Sequence, residues 1–149
     1  MSPRAAWRLE ALGFGDVYDY AAGKADWGAA GLPREGRAAA ERTAGDAADR
    51  DVPTCALEDD LDRVRRRVRA AGWDQCIVVT RDRIVLGRLG KGALEADDGQ
   101  TVEEAMRSGP GTVRPDAALE PLLARLEQRG LRSALVTTSD GRLVGAVVR

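Results

Sequence analysis

The chain has 149 residues, 44% of them hydrophobic and 32% charged, with a formal net charge of -1. That mix suits a globular protein able to bury a core, and so balanced a charge gives no global field to attract nucleic acid or an anionic membrane. Histidine is absent, which excludes imidazole acid–base catalysis, Ser-His-Asp and Cys-His pairs, and His-containing metal sites. The two cysteines, Cys55 and Cys76, cannot close a tetrahedral zinc site and are expected to be reduced. No apolar run reaches the roughly 18 residues that span a bilayer, and Met1–Trp7 lacks the apolar core of a secretory signal. We therefore expect a cytoplasmic protein that is not an enzyme, with no catalytic residue, no metal, and no nucleic-acid or membrane partner.

Ser2-Pro3 predicts a helix start, since serine caps free amides and proline fits the first turn. Trp7, Ala11 and Phe14 fall on one side of that helix, and Gly13 offers its stop. Val17–Tyr20 reads as a short strand, and Gly23–Trp27 and Gly31–Gly36 as turn-rich. Ala38–Asp51 is either a short helix or a linker.

From there the chain repeats itself. Displacing it by 58 positions lays Thr54 on Thr112, Leu61 on Leu119, Gly72 on Gly130, Thr80 on Thr138, Asp82 on Asp140 and Gly87 on Gly145, with no gap. In the first copy Leu57, Leu61, Val64, Val68 and Ala71 form the apolar stripe of one helix. Asp59 and Asp60 stand at its start, where the helix dipole favours negative charge, and Gly72 at its end. Gln75–Thr80 is a buried strand, Arg81–Arg83 a turn, and Ile84–Leu89 the returning strand of a hairpin. In the second copy the helix carries Leu119, Leu122, Leu123 and Leu126 and ends at Gly130. Ser133–Ser139 and Arg142–Val148 are its strands, joined through Asp140-Gly141, a strong hairpin signal. One such unit has too little apolar surface to close a core alone, so the two copies should pack face to face.

Thr112-Val-Arg-Pro-Asp116, the leucine helix, and Ser133–Gly145 resemble a CBS motif, which opens on a Thr/Val-rich strand and closes on a "D-G-x-L-V-G" hairpin. The likeness spans Asp51–Arg149 and is more specific in the second copy. It implies an α/β (α+β) fold: tandem β-α-β-β repeats about a pseudo-twofold axis, the pair at 46–149 with motifs at 51–95 and 101–149, and a small appendage at 1–45. It further implies a regulatory module binding an adenosine-containing ligand such as AMP or ATP and acting on a protein partner, commonly as a homodimer; no cofactor is required.

In that family a Thr or Ser closing the last strand, and an Asp three residues on, grip the ribose hydroxyls; a carboxylate accepts hydrogen bonds from both. Here those places hold Gly90 and Ala93 in the first copy, and Val148 in the second, whose sequence stops at Arg149. The ribose clamp is missing twice, so a ligand-free dimerisation scaffold is the alternative reading. Candidate ligand contacts are Thr54, Thr112 and Val113 through the strand backbone, with Lys91 or Arg149 facing a phosphate. The first copy runs on through Gly92–Glu95 into a second helix that the second copy lacks. Apolar surface near Leu143 and Val147 should therefore seek cover from a second chain, with the amino-terminal aromatics contributing.

The amino-terminal segment resembles the carboxy-terminal end of a rhodanese domain, through Leu9–Phe14, Val17–Tyr20 and Gly23–Pro33. The sulfur-carrying cysteine loop of that family precedes this stretch and is not in the sequence, so the resemblance implies a remnant without sulfurtransferase activity. Arg63–Arg69 could bind nucleic acid, but reads more simply as the solvated face of its helix. Gly87–Gly92 lacks the spacing of a phosphate-binding P-loop. Cys76 reads as core, and Cys55, beside the expected cleft, leaves a redox role open.

Overall fold

A computed structural model describes residues 3–29, 32–33, 35–36, 41–96 and 99–149. The serine cap at Ser2, the turn at Gly31 and residues 38–40 of the linker lie outside the described residues. The fold is mixed α/β, built from two sheets. β1 (Thr54–Cys55), β2 (Cys76–Val79), β3 (Val85–Leu89) and β4 (Arg107–Ser108) form one, in that order. β5 (Thr112–Val113), β6 (Ser133–Thr137) and β7 (Leu143–Val148) form the other.

The duplication holds at the level of register. Thr54 pairs with Ile77 and Thr112 with Leu135, both in parallel. The hairpins pair Cys76 with Leu89 and Ala134 with Val147, and each slips at the same place, after Val78 and after Val136. Each turn ends on a positive φ, at Arg83 (63°) and Gly141 (83°).

The helices repeat as well. α4 (Leu61–Ala70) is capped by Asp60, whose carboxylate accepts from the Arg63 amide at 2.7 Å. It buries Leu61, Val64 and Val68, each contributing roughly 1.5–3 kcal/mol. α7 (Leu119–Gln128) buries Leu119, Leu122 and Leu126 in the same way. Leu61 and Leu119 are each 4% exposed, equivalent in place and in burial. Leu57 packs on this core from the loop before α4, and Ala71 is the exposed cap residue after it, so the stripe is shorter than its periodicity suggested. Of the arginine run, Arg63, Arg66, Arg67 and Arg69 are exposed. Arg65 is buried and donates to the Ala93 carbonyl at 3.1 Å, tying α4 to the short helix after β3.

The pseudo-twofold axis is marked by equivalent residues that meet. Ile84 bridges Arg142, Val85 N–H donates to Gly141 O at 3.0 Å, and Leu143 N–H donates to Arg83 O at 2.8 Å. Towards the other end of the strands, Arg132 reaches Asp74 at 3.3 Å and the Ser133 hydroxyl donates to the Gln75 side chain at 3.2 Å. Between these ends lies a shared core of Val52, Ile77, Val79, Leu135, Leu143 and Ala146.

The correspondence runs back beyond Asp51. The structure has a short helix α3 (Ala44–Ala47) before β1 and another, α6 (Val102–Ala105), before β5. Thr43 and Thr101 cap them 58 positions apart, each in a capping box with Asp46 or Glu104. These entry segments are exchanged. Ala44 is buried in the core of the second copy and Val102 in that of the first. Asp49 forms a two-bond bridge with Ala146 on β7 (2.8 and 3.0 Å), as β4 pairs Arg107 with Arg88 on β3. A side chain at Gly145 would meet the Asp49 carbonyl oxygen at 2.4 Å, and one at Gly87 the Arg107 carbonyl oxygen at 3.0 Å. The repeated glycines exist because a backbone crosses them.

That exchange corrects the reason for expecting a second chain over β7. Leu143 and Val147 are 4% and 2% exposed, already covered by the shared core and by the second copy's own core with Ala44. On β7 it is Val148 that stands exposed, at 52%, and the most exposed apolar groups lie in the amino-terminal segment: Trp7, Leu12, Phe14 and Tyr18 are 60–80% exposed. There α1 (Pro3–Ala11) ends through Gly13 at φ 92°, as the sequence suggested. Val17–Tyr20 forms no strand and pairs with neither sheet. Gly23–Ala29 is helix α2 rather than turn. Tyr20 and Trp27 meet edge to face at 5.4 Å, the Trp27 Nε1–H donates to Pro33 O, and Asp26 accepts from the Ser139 hydroxyl at 3.2 Å.

Candidate functional site

Two clefts lie beside the ends of the last strands of the two copies. The first, about 490 Å³, follows the end of β3 and is lined by Arg88, Gly90, Lys91, Ala93, Gln100 and Arg107, among others. The second, about 780 Å³, follows the end of β7 and is lined by residues of both copies, including Asp49, Trp73, Asp74, Arg132, Ser133, Val148 and Arg149. The 58-position offset carries Gly90 onto Val148, Lys91 onto Arg149, and Asp49 onto Arg107. Both volumes lie within the range of small-molecule sites, roughly 300–1,000 Å³.

Local structure explains these placements. β3 stops at Leu89, Gly90 turns the chain, and Lys91 opens α5 (Lys91–Glu95), which Leu94 anchors in the core. Lys91 forms an exposed i,i+4 pair with Glu95 at 3.7 Å, a weak restraint. On the other side β7 carries Arg149 to the cleft edge, where its amide donates to Arg132 O at 3.0 Å and its guanidinium approaches Glu127 at 3.6 Å. Trp73, half-buried, presents an aromatic wall to the second cleft, beside the Asp74–Arg132 pair and the Ser133 hydroxyl.

The expected site residues are therefore divided. Lys91 lines the first cleft, together with Gly90 and Ala93; Arg149 lines the second, together with Val148. Thr54, Thr112 and Val113 line neither. Thr54 sits on edge strand β1, where its carbonyl accepts from Arg67; Thr112 is exposed on β5, and Val113 packs on the core of the second copy. Sequence reasoning missed Arg88, Arg107, Asp49, Trp73, Asp74 and Arg132. The repeat offset, applied to the residues before Asp51, is the signal that pairs Asp49 with Arg107.

The cysteines are free and belong to the core of the first copy rather than to a cleft, at 4% and 0% exposed. Cys55 is held protonated, far above the ordinary thiol range, by its hydrogen bond to Cys76 and by burial. Cys76 is shifted down, first by accepting that bond and then by the Arg67 guanidinium against the opposing effect of burial.

Comparison with known proteins supports this architecture. Residues 102–149 match the CBS domain family. No curated protein sequence matches the chain. Among solved structures, the Vibrio cholerae protein assigned to acetoin utilization (AcuB) superposes with a TM-score of 0.65 at 18% identity, over 72% of this chain and 84% of that one. CBSX2, solved in complex with AMP, gives 0.66 at 20% identity, over 72% and 90%. The cytosolic domain of the Mg²⁺ channel MgtE, solved in complex with ATP, gives 0.64 at 24% identity, over 74% and 48%. Residues 102–149 thus match the CBS domain family, and the chain shares the fold of these solved structures. Among the described residues no helix is long and apolar enough to cross a membrane.

Proposed function

We propose that this protein is a non-catalytic regulatory module that binds an adenosine-containing ligand between its two CBS-type motifs and passes the bound state to a protein partner. The observation that carries this reading is the second cleft: one aromatic wall, Trp73, beside a few converging polar groups from both motifs. An adenine ring stacks on such a wall, and Asp74 offers carboxylate oxygens to ribose hydroxyls where Val148 has removed the family's hydroxyl group. Because the cleft is built from both copies, a ligand there bridges them and alters their relative stability. That both AMP-bound and ATP-bound structures share the fold supports the reading. A thermal-shift series with adenosine, AMP, ATP and S-adenosylmethionine tests it. A ligand at 100 times its Kd adds about 2.7 kcal/mol of stability, which raises the melting point by about 5–10 °C for a chain of this size. No shift with any adenosine compound up to millimolar concentration would count against it.

A second reading, a dimerising scaffold that needs no ligand, is favoured by one observation: Trp7, Leu12, Phe14 and Tyr18 stand exposed on the amino-terminal segment. Light scattering at micromolar concentration tests it, with a monomer of 15.9 kDa as the outcome against.

A further inference from the structure

A further cleft, about 490 Å³, lies at the turn end of the two hairpins, away from the strand ends that border the first two. We infer that it is a docking site for an acidic segment of a partner protein, anchored by Arg50, Arg83 and Arg142. This deepens the partner half of the reading above and makes no use of its adenosine half.

Charge is the first observation. The three arginines line this cleft together with buried Leu143 and half-buried Val144, and Asp26 is the one acid among its described lining residues. The Asp26 carboxylate accepts from the Ser139 hydroxyl at 3.2 Å. Arg142 is shared between the Asp140 carboxylate at 3.7 Å and the Asp82 carbonyl at 2.6 Å. Arg50 and Arg83 are exposed and form no ion pair with a described residue, although Asp49, Asp51 and Asp82 flank them in sequence.

Backbone strain is the second. Arg83 has φ 63°, in the left-handed region that residues with a side chain rarely adopt. Its counterpart 58 positions on is Gly141, at 83°. The two turns close alike: Arg83 N–H donates to Thr80 O at 2.9 Å, and Gly141 N–H to Thr138 O at 3.1 Å. Glycine meets the demand of this turn without strain, so an arginine held there against its backbone preference points to a use for its side chain.

The repeat supplies the third. At the same offset Arg50 falls on Ser108, and Arg142 on Ile84. With Gly141, these counterparts carry no charge, so the duplicated fold requires none of the three arginines. They come from three separate stretches of chain, and folding brings them to one cleft.

Guanidinium groups take carboxylates through charge-assisted, often bidentate, hydrogen bonds, and arginine clusters are a recurring means of reading acidic segments. The apolar residues between them give a peptide's aliphatic carbons a surface to bury. A nucleic acid fits less well, because Asp26 and Asp140 oppose an unbroken run of phosphates. A peptide can set its acids on the arginines and neutral residues beside the aspartates.

The test uses the full chain and fluorescence anisotropy with a labelled Glu-Ala repeat peptide, its Gln-Ala counterpart, and a single-stranded oligonucleotide of equal charge. We expect the Glu-Ala peptide to bind at least about tenfold more tightly than Gln-Ala at low salt, the difference shrinking as salt rises. Arg83→Gly should weaken that peptide at least about fivefold. With the strain relieved, the same variant should melt, unliganded, at the parent's temperature or up to about 4 °C higher. Arg63→Gln with Arg66→Gln, which removes more charge from the exposed face of α4, should change the affinity less than about twofold.

Unchanged affinity in Arg83→Gly, or an equal loss in the α4 variant, would overturn the site. A lower melting point for unliganded Arg83→Gly would make the arginine a structural part of its turn and also overturn the inference. An oligonucleotide that binds as tightly as the Glu-Ala peptide would reassign the cleft to nucleic acid and overturn the acidic partner. No peptide binding, with adenosine compounds still raising the melting point, overturns the docking site alone; failure of both overturns the regulatory reading with it.

Discussion

A single methyl group added at Gly145 would place its carbon 2.4 Å from the Asp49 carbonyl oxygen and 2.9 Å from the carbonyl carbon. Side-chain carbons do not come closer than about 3 Å to backbone in close-packed interiors, so the segment carrying Asp49 has to move. Its bridge to Ala146 consists of two hydrogen bonds, 2.8 and 3.0 Å, each contributing about 1 kcal/mol net. Moving the segment also loosens Ala44, fully buried one turn earlier. We therefore expect Gly145→Ala to cost about 2–4 kcal/mol, lowering the melting point by about 5–15 °C. Gly87→Ala should cost less, about 1 kcal/mol, because its closest neighbour is the flexible end of Met106 and the Arg107 carbonyl lies at 3.0 Å. Gly130, at φ 62° with open space around it, separates conformational strain from crowding; alanine there should cost about 1 kcal/mol through the backbone alone. Thermal and urea unfolding of the three variants, followed by circular dichroism, gives the order. If Gly145→Ala lies within about 0.5 kcal/mol of the parent, the exchanged segment does not cross there and the account of the fold is wrong.

Two further outcomes follow from the same geometry. Thr43→Ala removes a half of its capping box in a buried setting and should cost about 1–2 kcal/mol, against about 0.5–1 kcal/mol for exposed Thr101→Ala; urea unfolding checks the order, and a reversed order would contradict the exchange of these segments into opposite cores. Cys55 and Cys76, buried and hydrogen-bonded to each other, should not react with Ellman's reagent in the native protein and should release two equivalents once unfolded; rapid native release of one equivalent would restore the redox role for Cys55.

Much of the fold was legible because the features that specify it are local. The leucine and valine spacing of α4 and α7, the positive-φ glycines after them, and Asp140-Gly141 each fix an element within a few residues. The exchanged segments were not legible. Thr43-Ala-Gly-Asp46 and Thr101-Val-Glu-Glu104 share only the capping threonine and an acid, and four residues are too few to show a helical period. Reading Val17–Tyr20 as a strand failed for a different reason: β-propensity describes fitness for a sheet surface, and this segment joins neither sheet. The site was half legible. Lys91 and Arg149 follow from where a third strand ends, whereas Arg107 and Asp49 enter their clefts only because each entry segment crosses to the other copy.

That crossing shows what duplication permits. In a twofold dimer of one motif, every residue on the axis meets its own copy, so an aspartate there faces an aspartate and an arginine an arginine. Here positions on the axis have diverged into complementary pairs: Asp74 with Arg132, and Gln75 with Ser133. The apolar positions behind them stay alike, Ile77 with Leu135 and Val78 with Val136, because packing constrains volume on both sides equally. Divergence is then free at the rim, where charge carries specificity, and the cleft residues differ there: Gly90 against Val148, and Arg107 against Asp49. Two identical clefts would respond to one ligand at two sites. Two clefts of unlike lining can respond to different ligands, or to one ligand at one site, and so couple a chemical distinction to the single interface they share.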